Sequence, residues 1–327
     1  MRKIVQCVPN ISEGRDRERI ETIVAPLKER TGFTLVSYEP DADYNRTVIT
    51  LIGDPDAMKE PLMEMVQRAS ALIDMNTHEG QHPRMGAVDV MPFIPIAGTD
   101  MESCIATARE MGKNIAEQSD IPVFMYAEAR HHENRRSLPR IRKGEFEGMK
   151  EKMKQDAWKP DYGPKSVHPT AGVTAVGARM PLIAYNIDIP TESEAIAKKL
   201  SQAIRGSSGG FKFIQAGPAY LKERGHVQVT MNILNYEKNP IYRVLETVKM
   251  EAKRYQLEII SSEVVGLIPQ DALVKSLEYY FEKNGKRLNK DLSLKDITDL
   301  STAYIGLRDF GQSKIIEAHI EDDSNDS

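Results

Sequence analysis

The sequence predicts an α+β protein built from two ferredoxin-like halves, each with the element order β-α-β-β-α-β. A length of 327 residues suits two domains of about 150 residues each. Short apolar runs alternate with longer stretches whose apolar residues recur at three-and-four spacing. The same order is legible on both sides of a boundary near residues 178–181, which gives subdomains over 1–179 and 180–327.

In the first half, residues 4–8 read as a buried strand and 17–30 as an amphipathic helix. Residues 33–38 and 47–53 read as strands joined by a polar loop over 39–46. A helix over 57–75 would place Met58, Leu62, Met65, Ala69 and Leu72 on one face. After a loop, 88–96 is a strand. Asp100 is suited to cap a helix presenting Met101, Cys104, Ala108, Met111 and Ile115, and 121–126 is a further strand. In the second half, 182–189 is a strand, and Thr191 with Glu194 forms a capping box opening a helix to Ile204. Strands follow at 211–215 and 226–234, a helix at 241–255, a strand at 257–267 and a helix at 270–283. The Pro- and Gly-rich stretch 156–177 is expected to run between the halves, where ligand clefts tend to form. The acidic end, 321–327, reads as a frayed tail.

Hydrophobic content of 40% and charged content of 28% are those of an ordinary globular protein. A net charge of −4 offers no global attraction to nucleic acid or an anionic membrane. The N-terminus lacks an apolar signal region, and no stretch approaches the ~18 apolar residues of a membrane span. The cysteines, Cys7 and Cys104, are too few for a disulfide framework and fit a reducing, cytoplasmic setting.

His78-Glu79-Gly80-Gln81-His82 matches the H-E-x-x-H pattern of zinc peptidases. That pattern binds metal only on a helix, where i and i+4 imidazoles share a face. Gly80 costs ~1 kcal/mol of helix propensity, and Pro83 disfavours helical backbone at His82. The segment therefore reads as a loop, with no metal expected. His82-Pro83-Arg84-Met85-Gly86 is then a compact polar loop before a buried strand. A histidine ordinarily titrates near neutrality, so this side chain is suited to proton transfer. Locally, it is as well suited to satisfying loop backbone groups.

Four segments carry a resemblance: Cys7-Val8-Pro9-Asn10-Ile11-Ser12-Glu13-Gly14, Asn45-Arg46-Thr47-Val48, Gly80-Gln81-His82-Pro83-Arg84-Met85-Gly86-Ala87 and Gln228-Val229-Thr230-Met231-Asn232. The chain resembles the glutamate formimidoyltransferases, the formiminotransferase part of formiminotransferase-cyclodeaminase, from about residue 4 to residue 307. The resemblance implies transfer of a formimidoyl group from N-formimidoyl-L-glutamate to tetrahydrofolate, a step of histidine breakdown. It also implies two formiminotransferase subdomains with a ligand tunnel between them, usually in a homodimer, acting on small molecules alone. The family's catalytic histidine falls on His82. Its folate-contacting segment falls on Gly163, Pro164, Lys165, Ser166, Val167, His168, Pro169, Thr170, Ala171 and Gly172.

Such a transfer needs a base to take the proton from folate N5 and an acid to protonate the departing glutamate nitrogen; one histidine can do both in sequence. A carboxylate would favour the protonated, electrophilic amidine, and Glu39, Asp41 and Asp43 are candidates, although family members carry Asp where this chain has Glu39. Arg46 is suited to hold a glutamate carboxylate bidentately. Taken singly, each acid is equally suited to a solvated turn. The basic stretch 130–143, with His131, His132, Arg135, Arg136, Arg140, Arg142 and Lys143, reads as a solvated face, part of which would attract the folate glutamate tail. N-formyl-L-glutamate or formimidoylglycine are alternative donors, and a folate-binding protein without turnover is the alternative of a different class.

Overall fold

In a computed structural model, which describes residues 2–320, the chain divides into two units, Met1–Arg179 and Met180–Ser327. The tail expected at 321–327 lies outside the described residues.

The first unit contains β1 (Ile4–Cys7), β2 (Asn10–Ile11), α1 (Arg17–Val24), β3 (Phe33–Asp41), β4 (Arg46–Gly53), α2 (Pro55–Leu72), β5 (Val88–Ala97), α3 (Met101–Ser119), β6 (Val123–Ala127), α4 (Leu138–Arg142), α5 (Glu145–Lys152) and β7 (Thr174–Ala178). β1 and β2 each pair with β4 on one side and β5 on the other, so they act as one strand interrupted at Val8 and Pro9. With β3 outside β4, these strands form an antiparallel sheet in the ferredoxin-like order. β7 and then β6 extend it in parallel beyond β5. The amphipathic faces of α1, α2 and α3 bury Ile20, Leu62, Met65, Met111 and Ile115 against Val5, Leu51 and Phe93. A separate cluster joins Val90, Phe124 and Ala175 of the strands to Ile141 of α4 and Met149 of α5.

The second unit contains β8 (Ile183–Ile189), α6 (Glu194–Ile204), β9 (Ile214–Leu221), β10 (His226–Ile233), α7 (Ile241–Lys253), β11 (Ser261–Val265), α8 (Gln270–Lys283) and α9 (Leu294–Ile305). Its sheet runs β11-β8-β10-β9, antiparallel throughout. Period-two alternation buries Tyr185, Ile187, Val227 and Val229 against Leu200, Val244 and Leu245. The alternate positions are polar: buried Asp188 accepts from Gln228 Nε2 at 2.8 Å, Ser261 Oγ at 2.7 Å and Arg308 Nε at 2.8 Å.

Several boundaries differ from the sequence reading. The helix expected to reach residue 30 stops at Val24 and tightens into a short 3-10 turn containing Pro26, which cannot donate a backbone hydrogen bond. The loop expected at 39–46 shortens to a four-residue turn over 42–45, since β3 pairs with β4 down to Asp41 opposite Arg46. Pro40 is tolerated because β3 lies at the sheet edge. Leu72, expected on the buried face of α2, is 39% exposed. The cap of α6 is Ser193, not Thr191, whose Oγ1 instead accepts from Ser193 N at 3.2 Å. β9 begins three residues later than expected, at Ile214, and runs to Leu221 along β10; its small residues and Pro218 hide the strand pattern. The stretch 156–177 does not stay irregular: Thr174–Ala178 is fully buried as β7 between β5 and β6.

Candidate active site

The loop after α2 is non-helical through 73–87, and hydrogen bonds rather than regular structure fix its path. His78 Nε2 lies 2.9 Å from Asn45 O, and Arg84 Nε donates to His78 Nδ1 at 3.2 Å. That pair of contacts selects the tautomer protonated on Nε2. Arg84 also donates to His78 O at 3.0 Å and to Glu145 and Glu147 of α5 at 2.7–2.9 Å. The first histidine of the H-E-x-x-H match is thus a brace for the loop. Among the described residues, no group of three or more His, Cys, Asp or Glu side chains is placed to hold a metal ion.

The turn between β3 and β4 meets this loop directly. Asn45, at φ +49, accepts from Gly14 N at 2.9 Å and donates to Glu79 O at 2.9 Å. Gln81 N donates to Asp43 O at 3.2 Å. A Cβ at Gly80 would stand 2.4 Å from Tyr44 O, so only glycine allows this approach. The motif before α1 pins the other end: Ser12 donates from Oγ to Gly86 O at 2.7 Å and from its backbone N to Ala87 O at 2.9 Å.

His82 stands half-buried in this framework. Its ring meets the edge of Tyr44 at a centroid distance of 6.0 Å, and the Arg46 guanidinium lies 5.5 Å from the Tyr44 ring. Burial first, then the charges of Arg46 and Arg142, lower the His82 pKa to about 4, so the free ring is neutral near pH 7. Burial and the neighbouring Arg142 charge also push Arg46 down. Among the described residues no group partners the buried Arg46 Nε.

Of the expected acids, Asp41 shapes the turn, its Oδ1 accepting from Asp43 N at 3.0 Å and Tyr44 N at 2.9 Å. Its charge acts on both Arg46 and His82. Asp43 is exposed and meets the loop through its carbonyl. Glu39 is exposed on the edge strand, opposite Val48. The segment 163–172 joins the histidine loop through its last four residues, Asn76 Nδ2 donating to Pro169 O and Met75 N to Thr170 O, both at 2.8 Å. Gly86 bridges Gly172, with Ala87 N donating to Ala171 O at 2.8 Å and Val173 N to Met85 O at 3.0 Å. At the other end, Gly163 (φ +86) turns against Ile121 and Ala116. His168 closes the segment on itself, its Nδ1 accepting from Thr170 N at 3.3 Å and Ala171 N at 2.9 Å.

The basic stretch is not a uniformly solvated face. Arg135 is fully buried, paired with Asp161 and with the carbonyl of Lys159, and its guanidinium lies 5.0 Å from the Phe124 ring. Arg136 is exposed and paired with Glu133. Arg142 belongs to the site, and sequence reasoning did not single it out. It pairs through Nε and Nη2 with Asp89 Oδ2, and Asp89 Oδ1 accepts from Met85 N at 2.9 Å. Asp89 lies at a register shift, where Asn10 faces Val90 and Ile11 faces Val88. Such a bulge re-aims a strand side chain. The available signal was a lone acid in the apolar run Val88-Asp89-Val90, since a buried charge requires a partner.

Comparison with known proteins identifies the family of the chain. Residues 4–179 match the formiminotransferase domain, N-terminal subdomain, and residues 184–321 match the formiminotransferase domain. The glutamate formimidoyltransferase of Streptococcus pyogenes serotype M1 is 46% identical over 282 residues, covering 86% of this chain and 94% of that protein. The glutamate formimidoyltransferase of Thermoplasma acidophilum is 43% identical over 284 residues, covering 86% and 93%. The formimidoyltransferase-cyclodeaminase of Mus musculus is 40% identical over 288 residues, covering 86% of this chain and 53% of that protein. With both of its units matched in order, the chain belongs to the formiminotransferase family.

Proposed function

We propose that this protein is a glutamate formimidoyltransferase, moving the formimidoyl group of N-formimidoyl-L-glutamate to N5 of tetrahydrofolate and releasing glutamate. The observation that carries the reading is a neutral, half-buried imidazole in the field of the Arg46 guanidinium, whose buried Nε has no partner among the described residues, on a loop bridged to the segment 163–172. Family membership, through relatives bearing that name, favours the formimidoyl donor over the formyl one.

In this reading the amidine carbon of the donor accepts the N5 lone pair while His82 takes the N5 proton. The protonated ring then gives that proton to the glutamate nitrogen as its bond to carbon breaks. The low pKa keeps the ring unprotonated at the outset and makes its conjugate acid a strong donor to the glutamate nitrogen, at the expense of its basicity toward N5. Arg46 holds a donor carboxylate, and the Asp41 charge favours the amidinium. Holding donor and acceptor together supplies rate by positioning, without a covalent enzyme intermediate. The segment 163–172 holds the folate; Val167 is packed in the core cluster under α4 and α5, which leaves Lys165, Ser166 and Pro169 exposed for contact. The same reading places the enzyme in the cytoplasm as a homodimer, the latter checked by sedimentation.

The test is His82→Ala assayed with N-formimidoyl-L-glutamate, N-formyl-L-glutamate and formimidoylglycine as donors. The expected result is a kcat loss of about 10²–10⁴-fold with folate binding retained. Unchanged turnover by the variant would overturn the role of His82, and a wild-type preference for either other donor would overturn the substrate assignment.

A further inference from the structure

The donor proposed above carries two carboxylates, and Arg46 can hold one of them. A second guanidinium stands within the same electrostatic cluster. The charge of Arg142 acts on both His82 and Arg46, and the charge of Arg46 acts on His82. The two arginines reach the site by unrelated routes. Arg46 opens β4 next to the turn that meets the histidine loop, whereas Arg142 ends α4. α4 is a short helix whose placement depends on Lys152, which donates to Arg140 O at 2.9 Å, Ile141 O at 2.5 Å and Lys143 O at 3.1 Å. Arg142 is in turn fixed by Asp89, which uses its other oxygen to hold Met85 N at 2.9 Å, three residues beyond His82. Both bonds from Arg142 end on a single carboxylate oxygen and use Nε and Nη2; Nη1 takes no part in that pair.

From this arrangement we infer that Arg142 is a specificity-determining residue, holding the donor carboxylate that Arg46 does not, with Asp89 as its positioning residue. The inference rests on the transferase reading above. Carboxylates occur both on the donor and on the glutamate tail of folate, and covalent structure decides between them. In the donor the amidine nitrogen is attached to the glutamate α-carbon itself, so both carboxylates lie near the carbon being transferred. In tetrahydrofolate the aminobenzoyl group separates N5 from the tail. Guanidiniums whose charges act on the proton-handling ring are therefore assigned to donor carboxylates. A fork that makes charge-assisted bonds to a carboxylate also explains why the planar arginine, rather than lysine, suits the position.

The experiment compares wild type, Arg142→Lys and the double variant Asp89→Asn/Arg142→Gln. The first keeps a charge for Asp89 and loses the fork. The second replaces the ion pair by an amide pair, so that no charge is left buried alone. KM is measured for N-formimidoyl-L-glutamate and separately for tetrahydrofolate, and L-glutamate affinity is measured by calorimetry. The expected result is a donor KM raised about 10–150-fold, weakened L-glutamate binding and a tetrahydrofolate KM within about twofold of wild type. Donor KM and L-glutamate affinity unchanged in both variants would overturn the inference. A rise confined to the tetrahydrofolate KM would overturn it too, by assigning Arg142 to the folate tail. Wild type that transfers nothing from any donor would instead sink the transferase reading, and the calorimetry would still decide whether Arg142 binds a glutamate carboxylate.

Discussion

Replacement of Gly80 by alanine tests whether the aim of His82 depends on the contact between the loop and the β3–β4 turn. The added Cβ would stand 2.4 Å from Tyr44 O and 2.8 Å from Asn45 Cβ, where ordinary contact begins at 3.4 Å. One side must therefore retreat by about 1 Å to escape repulsion. The turn is poorly placed to yield, because Asp41 Oδ1 holds Tyr44 N at 2.9 Å and Asn45 Oδ1 is tied to Gly14 N at 2.9 Å. The loop moves instead, and His82 lies two residues further along it. A 1 Å misplacement of a reacting group costs about 10²-fold in rate, or ~2.7 kcal/mol of barrier. The expected outcome is a kcat about 100-fold below wild type in steady-state assays. Strain of ~1–3 kcal/mol lowers the melting temperature by only a few degrees per kcal/mol. Gly148→Ala, where a Cβ meets nothing within 4 Å, is the control and retains full activity. A Gly80→Ala enzyme with kcat within about threefold of wild type would refute the reasoning.

The remaining predictions concern titration and packing. Because burial, Arg46 and Arg142 lower the His82 pKa to about 4, kcat/KM should stay level from pH 8 to about 6 and fall only as pH approaches that value and the base is protonated. Removing one guanidinium by Arg46→Gln should move that acid limb upward, and a wild-type limb already centred near the ordinary histidine value of ~6.5 would contradict the electrostatics. Phe93, fully buried where α1, α2 and α3 pack on the sheet, should cost ~3–5 kcal/mol on truncation to alanine, measured by denaturant unfolding.

Element type and order were legible because burial imposes periodicity. The α2 stripe of Met58, Leu62, Met65 and Ala69 is buried as its spacing requires, and Asp100 caps α3 by accepting from Ser103 N at 2.8 Å. The same signals failed where composition was ambiguous. Ala216, Gly217, Pro218 and Ala219 carry little strand propensity, yet they pair along β10. α9 went unread although Ser293 and Asp296 form its capping box.

By itself the sequence determined that His82 lies outside any helix: Gly80 and Pro83 act on backbone conformation locally, whatever surrounds them. Only the tertiary structure decided what that ring experiences. Arg46, Asp89 and Arg142 come from three separate elements, and a register shift, which leaves no mark in composition, selects where Asp89 points. The same distinction separates Arg135 from Arg142. Both stand in one basic stretch, but Arg135 is sealed against Asp161 in the interior, while Arg142 lies within the electrostatic reach of the imidazole. Charge pattern records how many cations a segment carries; long-range packing determines which of them water screens and which act on the chemistry.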